Sequence, residues 1–328
     1  MAEEKNLIVK LKEAGLSGRS GSGFPVWQKW QAVENTKAEK KYVVCNASEG
    51  EPEVFKDKFI LENYAKEVIE GIKTALDFFG NSSAYLYLNK NYYQQFSTIL
   101  EQAIGNLPIS LFEKPKGYIA GEETSVLEAI EGKRPEPRLK PPYPTEVGLF
   151  GYPTLVNNVE TFYYVAKIAK GGYKNTRFYC LSGDIKKPGV FELSENSTIE
   201  KVLKDTGNWP DFDFFSQVGG GASGEIFLPS ELNQPVKGLA SIIVFDRQKT
   251  DLWLLMEKWA DFFLEGNCDK CTPCREGLFR LKEMVKQRKI SQPTLYDLFF
   301  VLEKTSFCPL GKGAVFPFRS LVSKLSIK

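Results

Sequence analysis

The alternation of apolar and polar positions changes its period along the chain. From Glu4 to Ala14, residues Leu7, Ile8, Leu11 and Ala14 recur at helical spacing and predict a short amphipathic helix. Lys41 to Asn46 carries the apolar run Tyr42-Val43-Val44-Cys45, a buried strand that ends in the polar turn Ala47 to Pro52. The pattern then predicts a helix over 64–79 with Val68, Ile69, Ile72, Ala75, Leu76 and Phe79 on one face, a strand over 84–88 and a helix over 92–104. A short strand at 116–120, turned by Gly121 into a helix over 125–131, and a helix from Pro153 to about Lys170 follow. Strands alternating with helices argue for a parallel sheet with helices on its faces.

From about Asn175 the period shortens. Strands over 177–181, 190–193, 214–218 and 241–245 surround one short helix at 198–205, the pattern of a β-grasp module. The remainder is helical, over 251–264, 273–287, 294–304 and 315–325, and reads as a four-helix bundle. The expected fold is α/β: a Rossmann-like domain over 1–174, a small β-grasp (ubiquitin-like) domain over 175–249 and a helical bundle over 250–328.

Composition narrows the function. With 43 basic against 41 acidic residues the formal charge is +2, and no basic block stands out, which argues against nucleic acid. No apolar run reaches the length of a membrane span, and Met-Ala-Glu-Glu-Lys lacks the apolar core of a signal peptide, so a cytoplasmic location without membrane insertion is expected. The chain has no histidine. Triads built on imidazole and imidazole metal sites are therefore excluded, and chemistry falls to carboxylates, lysines, thiolates or a borrowed cofactor.

Two stretches carry that chemistry. Residues 15–23 hold four glycines and three serines in nine positions, followed by Phe24-Pro25 and by Lys29-Trp30. Such a loop brings backbone N–H groups up to an anion or a flat ring; the alternative is a mobile linker. The second stretch is Asn267 to Gly277, with Cys268, Cys271 and Cys274 in C-x₂-C-x₂-C spacing, and Cys308 lies further on in Phe307-Cys308-Pro309. Three close thiolates and one remote one suit a [4Fe–4S] cube, whereas structural zinc more often takes two separated pairs; packed free thiols are the third reading. Thr272-Pro273 opens a helix there, so Cys274 falls in its first turn. Cys45 and Cys180 read as core thiols. Gly219 to Gly224 formally fits G-x-G-x-x-G, but no helix follows it, and it reads as a structural turn.

The polar residues near strand ends and helix starts have two readings each. Asn46, Ser48, Glu49 and Glu51 follow the first strand, where an α/β sheet binds ligands, or form a plain turn. Glu122 and Glu123 either compensate a helix dipole or anchor a ligand's hydroxyls. The proline-rich stretch 133–144 is a spacer, or it drapes Lys140 and Tyr143 over a nucleotide.

Taken together, Gly18 to Pro25 with Lys29-Trp30, Cys45 to Pro52 with Lys56-Asp57, Gly121 to Thr124, Arg138 to Pro144, Val156 to Thr161, the cysteine run and Phe307-Cys308 resemble the NADH-binding flavoprotein subunit of respiratory complex I. The diaphorase subunits of NAD-linked hydrogenases and formate dehydrogenases share the resemblance. It implies FMN bound by Gly18, Arg19, Gly21, Lys29, Asn46, Glu49, Tyr118, Gly121, Glu122, Asn157, Asn158 and Thr161, with Ser48 and Val156 in the same site. It implies NADH, in preference to NADPH, touching Phe24, Glu51, Glu123, Lys140 and Tyr143. It further implies a [4Fe–4S] cluster on Cys268, Cys271, Cys274 and Cys308. Implied partners are a [2Fe–2S] thioredoxin-like subunit and a further electron-accepting iron–sulfur subunit.

Some positions depart from the family pattern. Serines stand at Ser20 and Ser22 where the family has small residues, Ser48 replaces an aspartate, and Ala32 replaces an aromatic. These departures motivate the alternative of a non-catalytic relay or scaffold subunit that keeps the cluster and binds nucleotide weakly. The expected activity is NADH:acceptor oxidoreduction, with hydride passing to the flavin and single electrons leaving through the cluster. No protein residue need act as acid or base in that chemistry.

Overall fold

The computed structural model describes residues 2–289 and 291–325 and divides them into two compact units. The first comprises residues up to Gly50, Phe55–Lys116 and Ala120–Phe178; the second takes Glu51–Val54, Gly117–Ile119 and everything from Tyr179.

The first unit contains α1 (Ala2–Glu13), α2 (Val26–Asn35), β1 (Lys41–Ala47), α3 (Lys56–Phe79), β2 (Ser82–Leu88), α4 (Lys90–Ile104), β3 (Ile109–Glu113), α5 (Glu123–Ile130), β4 (Thr154–Asn158) and α6 (Val159–Ala169). Its sheet has the order β3-β2-β1-β4 and is parallel throughout. The chain runs outward from β1 through β2 to β3 and then returns to the other side of β1. A crevice therefore opens between the carboxyl ends of β1 and β4, where strand order reverses. Helices α3 and α6 cross closely because Gly71 lies against Phe162; a Cβ at Gly71 would come within 2.0 Å of the Phe162 carbonyl oxygen. Around that crossing Tyr64, Tyr163, Tyr164 and Phe178 pack ring on ring, with centroids 5.0–5.9 Å apart.

Several expectations are corrected here. The helix expected over 64–79 begins at Lys56 and breaks at Tyr64 (φ −136°, ψ 29°), so the apolar face counted in the sequence is the part beyond the break. Residues 116–120 form no strand; Tyr118–Gly121 is a 3₁₀ turn. The helix expected from Pro153 starts at Val159, because Thr154–Asn158 is a fully buried strand and Asn158 caps the helix. A five-residue buried strand and a helix start look alike in sequence.

The second unit contains β5 (Thr176–Gly183, whose first three residues belong to the first unit), β6 (Gly189–Ser194), α7 (Ile199–Asp205), β7 (Phe214–Val218), β8 (Glu225–Phe227) and β9 (Ser241–Asp246). It continues with α8 (Leu252–Gly266), α9 (Thr272–Lys286), α10 (Gln292–Thr305), α11 (Pro309–Gly313) and α12 (Val315–Lys324). The five-stranded sheet has the order β6-β5-β9-β7-β8 and is mixed, with β5 parallel and β7 antiparallel to β9. Helix α7 buries Ile199, Val202 and Leu203 in a core with Tyr179, Leu181, Ile242 and Val244. A second core joins the C-terminal helices through Met256, Trp259, Phe263, Leu278, Leu281, Phe299, Leu302 and Phe318. Among the described residues no helix is long and apolar enough to cross a membrane.

Candidate flavin pocket and thiol site

In the first unit the glycine-serine loop closes over the crevice at β4. Gly18, Ser20, Ser22, Phe24, Val26 and Lys29 face Val156, Asn157, Asn158 and Thr161 around about 260 Å³ of space. The loop is pinned at its base: Gly18 N–H donates to Phe24 O at 2.8 Å, and Val26 N–H to Leu16 O at 3.0 Å. Gly21 (φ 92°) and Gly23 (φ 62°) take the left-handed backbone that this tight turn needs. Arg19 N–H donates to Thr161 Oγ1 at 3.2 Å, tying the loop to the first turn of α6. The Arg19 side chain turns away from the pocket into the core, over the Tyr164 ring and 3.9 Å from Glu160.

The pocket floor is made of amides. The Asn157 side-chain oxygen accepts from Trp30 Nε1 at 3.0 Å, which fixes the amide from behind. Asn158 caps α6 by accepting from Glu160 N–H at 3.0 Å. Its side chain is also clamped by a buried ion pair: Lys56 Nζ donates to Asn158 Oδ1 at 3.3 Å, and Asn158 Nδ2 donates to Asp57 Oδ2 at 2.7 Å. Lys56 and Asp57 are 2.5 Å apart, and Lys56 lies 3.4 Å from Glu160. Burial would lower the proton affinity of the Lys56 amine, but Asp57, Glu160 and Glu49 raise it above the ordinary value. Sequence reasoning gave Lys56, Asp57 and Glu160 no role, although a Lys-Asp pair opening a helix and a lone glutamate in the apolar Val159 to Ala166 run are signals of a buried pair.

The expected residues at the end of β1 are spoken for. Asn46 Nδ2 donates to Gly121 O at 3.0 Å, and its Oδ1 accepts from Ser48 N–H at 3.1 Å. Ser48 packs against Gly121, where an added Cβ would meet Ser48 Oγ at 2.5 Å. The Glu49 carboxylate accepts from Asp57 N–H at 3.1 Å and from Tyr92 Oη at 2.6 Å. Glu122 caps α5 by accepting from Thr124 and Ser125 N–H. Glu123 instead bridges two cations, Lys29 Nζ at 2.7 Å and Lys140 Nζ at 3.0 Å. Although burial works to raise it, those lysines hold Glu123 below the ordinary carboxylate range. Lys29 Nζ also donates to Val156 O at 3.1 Å, so one lysine joins the pocket rim to β4. Phe24 and Tyr143 are exposed, at 47% and 53%.

Glu51 and Tyr118 belong to the second unit. The Glu51 carboxylate accepts from Ala222 N–H (2.8 Å), Ser223 N–H (3.1 Å), Ser223 Oγ (2.6 Å) and Tyr118 Oη (2.7 Å). The Gly219–Gly224 loop is thus a structural turn, as its sequence context implied, and it cradles an internal anion. Its tightness is explained by Gly221, where a Cβ would lie 1.6 Å from Pro52 O.

Also in the second unit, Cys268, Cys271, Cys274 and Cys308 line one small pocket with Ile119, Asn267, Asp269, Lys270, Phe307 and Leu310. Helices α9 and α11 begin just after Cys271 and Cys308, each with a proline in its first turn and no side-chain capping bond, and Cys274 sits in the first turn of α9. Gly311 lets α11 approach, since a Cβ there would be 3.1 Å from Cys274 Cβ. Burial, then neighbouring Cys271, Cys308 and Cys268, push the Cys274 thiol above its ordinary value. Four thiols sharing one cavity cannot all ionise without a cationic centre to offset them. Among the described residues no three acidic or thiol side chains are disposed to hold a single metal ion. Four thiols around one pocket, three closely spaced in sequence and one remote, fit the ligand set of an iron–sulfur cube.

A parallel-sheet unit with an amide-floored pocket at its switch point, and a helical unit with four thiols around one cavity, define a two-cofactor electron-transfer subunit. The comparisons agree. The Nuo51 FMN-binding domain model matches residues 11–167, and the NADH-ubiquinone oxidoreductase-F iron–sulfur binding region matches residues 254–326. The chain is 32% identical over 361 residues to the F 2 subunit of the NADH-quinone oxidoreductase of Rhizobium meliloti (strain 1021), covering 96% of this chain and 85% of that one. It is 34% identical to the F subunit of the NADH-quinone oxidoreductase of Aquifex aeolicus (strain VF5), covering 94% and 82%. Among solved structures, the NAD⁺-reducing [NiFe]-hydrogenase in its H₂-reduced state contains a chain similar over 98% of this one, at 28% identity and a TM-score of 0.89. This chain spans 61% of that hydrogenase chain. The protein belongs to the family of NADH-quinone oxidoreductase F subunits, with the family's FMN-binding domain followed by its iron–sulfur region.

Proposed function

We propose that this chain oxidises NADH on an FMN held at the β1–β4 crevice and passes single electrons to a [4Fe–4S] cluster on Cys268, Cys271, Cys274 and Cys308. The observation that carries the reading is the coexistence of the two sites, since the thiol cavity supplies the one-electron exit that a flavin needs. When bound, FMN supplies hydride acceptance and the step from two electrons to one. The protein's part is placement. The Gly18–Phe24 loop and the amides of Asn157 and Asn158 form walls for a flat ring and its polar tail, with Thr161 and the α6 N-terminus behind them. Lys29 and Glu122 supply polar anchors at the rim, and Gly21, Asn46, Ser48, Glu49, Gly121 and Val156 complete the proposed flavin site; Glu123 and Lys140 are proposed nucleotide contacts beside it. Arg19 serves through its backbone, its guanidinium being in the core.

Phe24 and Tyr143 are proposed nucleotide contacts because both stand exposed. Tyr118 for the flavin and Glu51 for the nucleotide are carried by family membership alone. The acidic residues of the nucleotide site favour NADH over NADPH by repelling a 2′-phosphate. Residues 1–174, 175–249 and 250–328 are proposed as domains, the last two sharing the second unit. Proposed partners are a [2Fe–2S] thioredoxin-like subunit and a further iron–sulfur acceptor, with the complex in the cytoplasm.

The test is an anaerobic visible spectrum of protein containing quantified FMN and iron, before and after NADH. Bleaching of the flavin followed by reduction of the cluster is expected; no bleaching with either nucleotide sinks the reading, and equal turnover with NADPH sinks the preference. Ser48 and Ala32 keep a second reading alive, a relay subunit with weakened nucleotide binding, which flavin retention without any nucleotide response would favour.

A further inference from the structure

Behind the pocket floor the first unit gathers five ionisable groups, four of them buried and one, Glu49, half-buried. Two cations, Arg19 and Lys56, face two anions, Asp57 and Glu160, and these four balance. Glu49 is a fifth charge. Its carboxylate meets Asp57 N–H at 3.1 Å, Lys58 N–H at 3.4 Å and Tyr92 Oη at 2.6 Å. Among the described residues no third cation is bonded to it. Tyr92 and Tyr164 also face this cluster, and so does Cys45 on β1, which is held protonated by burial and then by Asp57. Ionised, Glu49 leaves the cluster one negative charge in excess; protonated, it leaves it neutral.

We propose that Glu49 is the proton-holding residue of the flavin site: it takes up one proton from water when the pocket's occupant gains an electron pair, and returns it when the electrons leave. The link is Asn158, which lines the pocket and is bonded on its far side by Lys56 and Asp57. Negative charge added above Asn158 raises the proton affinity of the one acid in the cluster that lacks a matching cation. The particles balance: the hydride brings the occupant an electron pair and one proton, water supplies a second proton to Glu49, and when the two electrons leave singly both protons return to water. Burial and the adjacent Asp57 push the Glu49 carboxyl up to about 7, against the pull of Lys56, the Tyr92 hydroxyl and the Asp57 N–H. Tyr92 itself is raised, by burial first and then by Glu49, so it stays a hydrogen-bond donor.

This inference rests on the proposed flavin function, and its test separates the two. In weakly buffered, anaerobic holoprotein at about pH 8, where oxidised Glu49 is largely ionised, proton uptake on reduction is followed with an indicator dye. Wild type is expected to take up as much as about one proton per flavin more than Glu49→Gln, and the flavin's midpoint potential should fall more steeply with pH in wild type. Tyr92→Phe removes a hydroxyl that favours the ionised form, so its bend in the potential-against-pH curve should move upward. This second variant covers the case in which Glu49→Gln weakens the start of α3 too far to retain FMN. Equal proton uptake in wild type and Glu49→Gln, or an unmoved bend in Tyr92→Phe, overturns the proposal. A wild-type protein that retains no flavin overturns the functional reading, and this inference with it.

Discussion

The flavin pocket and the thiol site hold their ligands by opposite strategies. The thiol site concentrates four like side chains, three of them within seven residues, and lets α9 and α11 begin at the ligands themselves. The pocket draws on a glycine loop, two strand ends and one helix start that lie up to 142 residues apart, as the bond from Arg19 to Thr161 illustrates. A cluster is defined by what its ligands are. A flat organic cofactor is defined by where backbone and amides are put, so its site depends on the whole sheet. Damage to the first site should be local and chemical, and damage to the second structural.

The largest expected effect tests that contrast directly. Cys274→Ser should abolish the cluster, reducing bound iron to background and stopping transfer to one-electron acceptors. Bleaching of FMN by NADH should survive, because no thiol takes part in hydride transfer; loss of both activities together would show that the two sites are not separable in this way. Next in size, Lys56→Met leaves Asp57 and Glu160 without their shared cation in the interior. Breaking a buried pair from one side costs about 3–5 kcal/mol, read as a drop in the denaturation midpoint. FMN affinity should fall with it, since Asn158 loses one side of its clamp, while iron content stays normal in the protein that remains folded. A destabilisation below about 1 kcal/mol would mean that the cluster behind the floor is well solvated.

Much of this was legible in the sequence, unevenly and for physical reasons. The cysteine spacing and the helix beginning at Thr272-Pro273 are local signals; the helix starts where expected and the four cysteines line one pocket. The parallel sheet was legible from β1, β2 and their helices. Its fourth strand was not, because Leu155-Val156 is too short a run to tell a buried strand from a helix start, and the edge strand β3 and helix α2 gave too little periodicity to be predicted. Likewise Glu49 and Glu122 read as ligand residues from their place after a strand and before a helix, and in the fold both also accept from helix N-termini. Sequence marks a carboxylate as well placed; only the fold says which donor reaches it first.

A third prediction concerns pH. Glu123 is held below the ordinary carboxylate range by Lys29 and Lys140, so its pairing stabilises the folded protein above the unfolded carboxylate value and is lost as pH falls through the folded one. Glu123→Gln should therefore be less stable than wild type near neutrality and converge on it in acid; a gap constant with pH would assign the loss to packing. Gly121→Ala is expected to cost about 1–3 kcal/mol, because the new methyl meets Ser48 Oγ at 2.5 Å. Adding Ser48→Ala should recover part of that loss, and failure to recover any would place the clash elsewhere.

The smallest effect sharpens the comparison most. In the pocket loop the left-handed positions are glycines, Gly21 and Gly23, but in the cysteine loop the same backbone is imposed on Asp269, at φ 57°. Aspartate tolerates this region better than most residues, and here Asp269 N–H donates to Asn267 Oδ1 at 2.7 Å while its carbonyl accepts from Arg275 Nη1 at 3.2 Å. Asp269→Gly relieves the backbone in the folded state but also loosens the unfolded chain, so the two terms nearly cancel and a change within about 0.5 kcal/mol is expected. Asp269→Ala keeps the strain without the polar side chain and should cost about 1 kcal/mol more than the glycine variant. Measured on the cluster-loaded protein, that ordering would show that the thiol loop's shape is enforced by its ligands and its two bonds, whereas the pocket loop relies on glycine; an alanine variant as stable as the glycine one would remove that distinction.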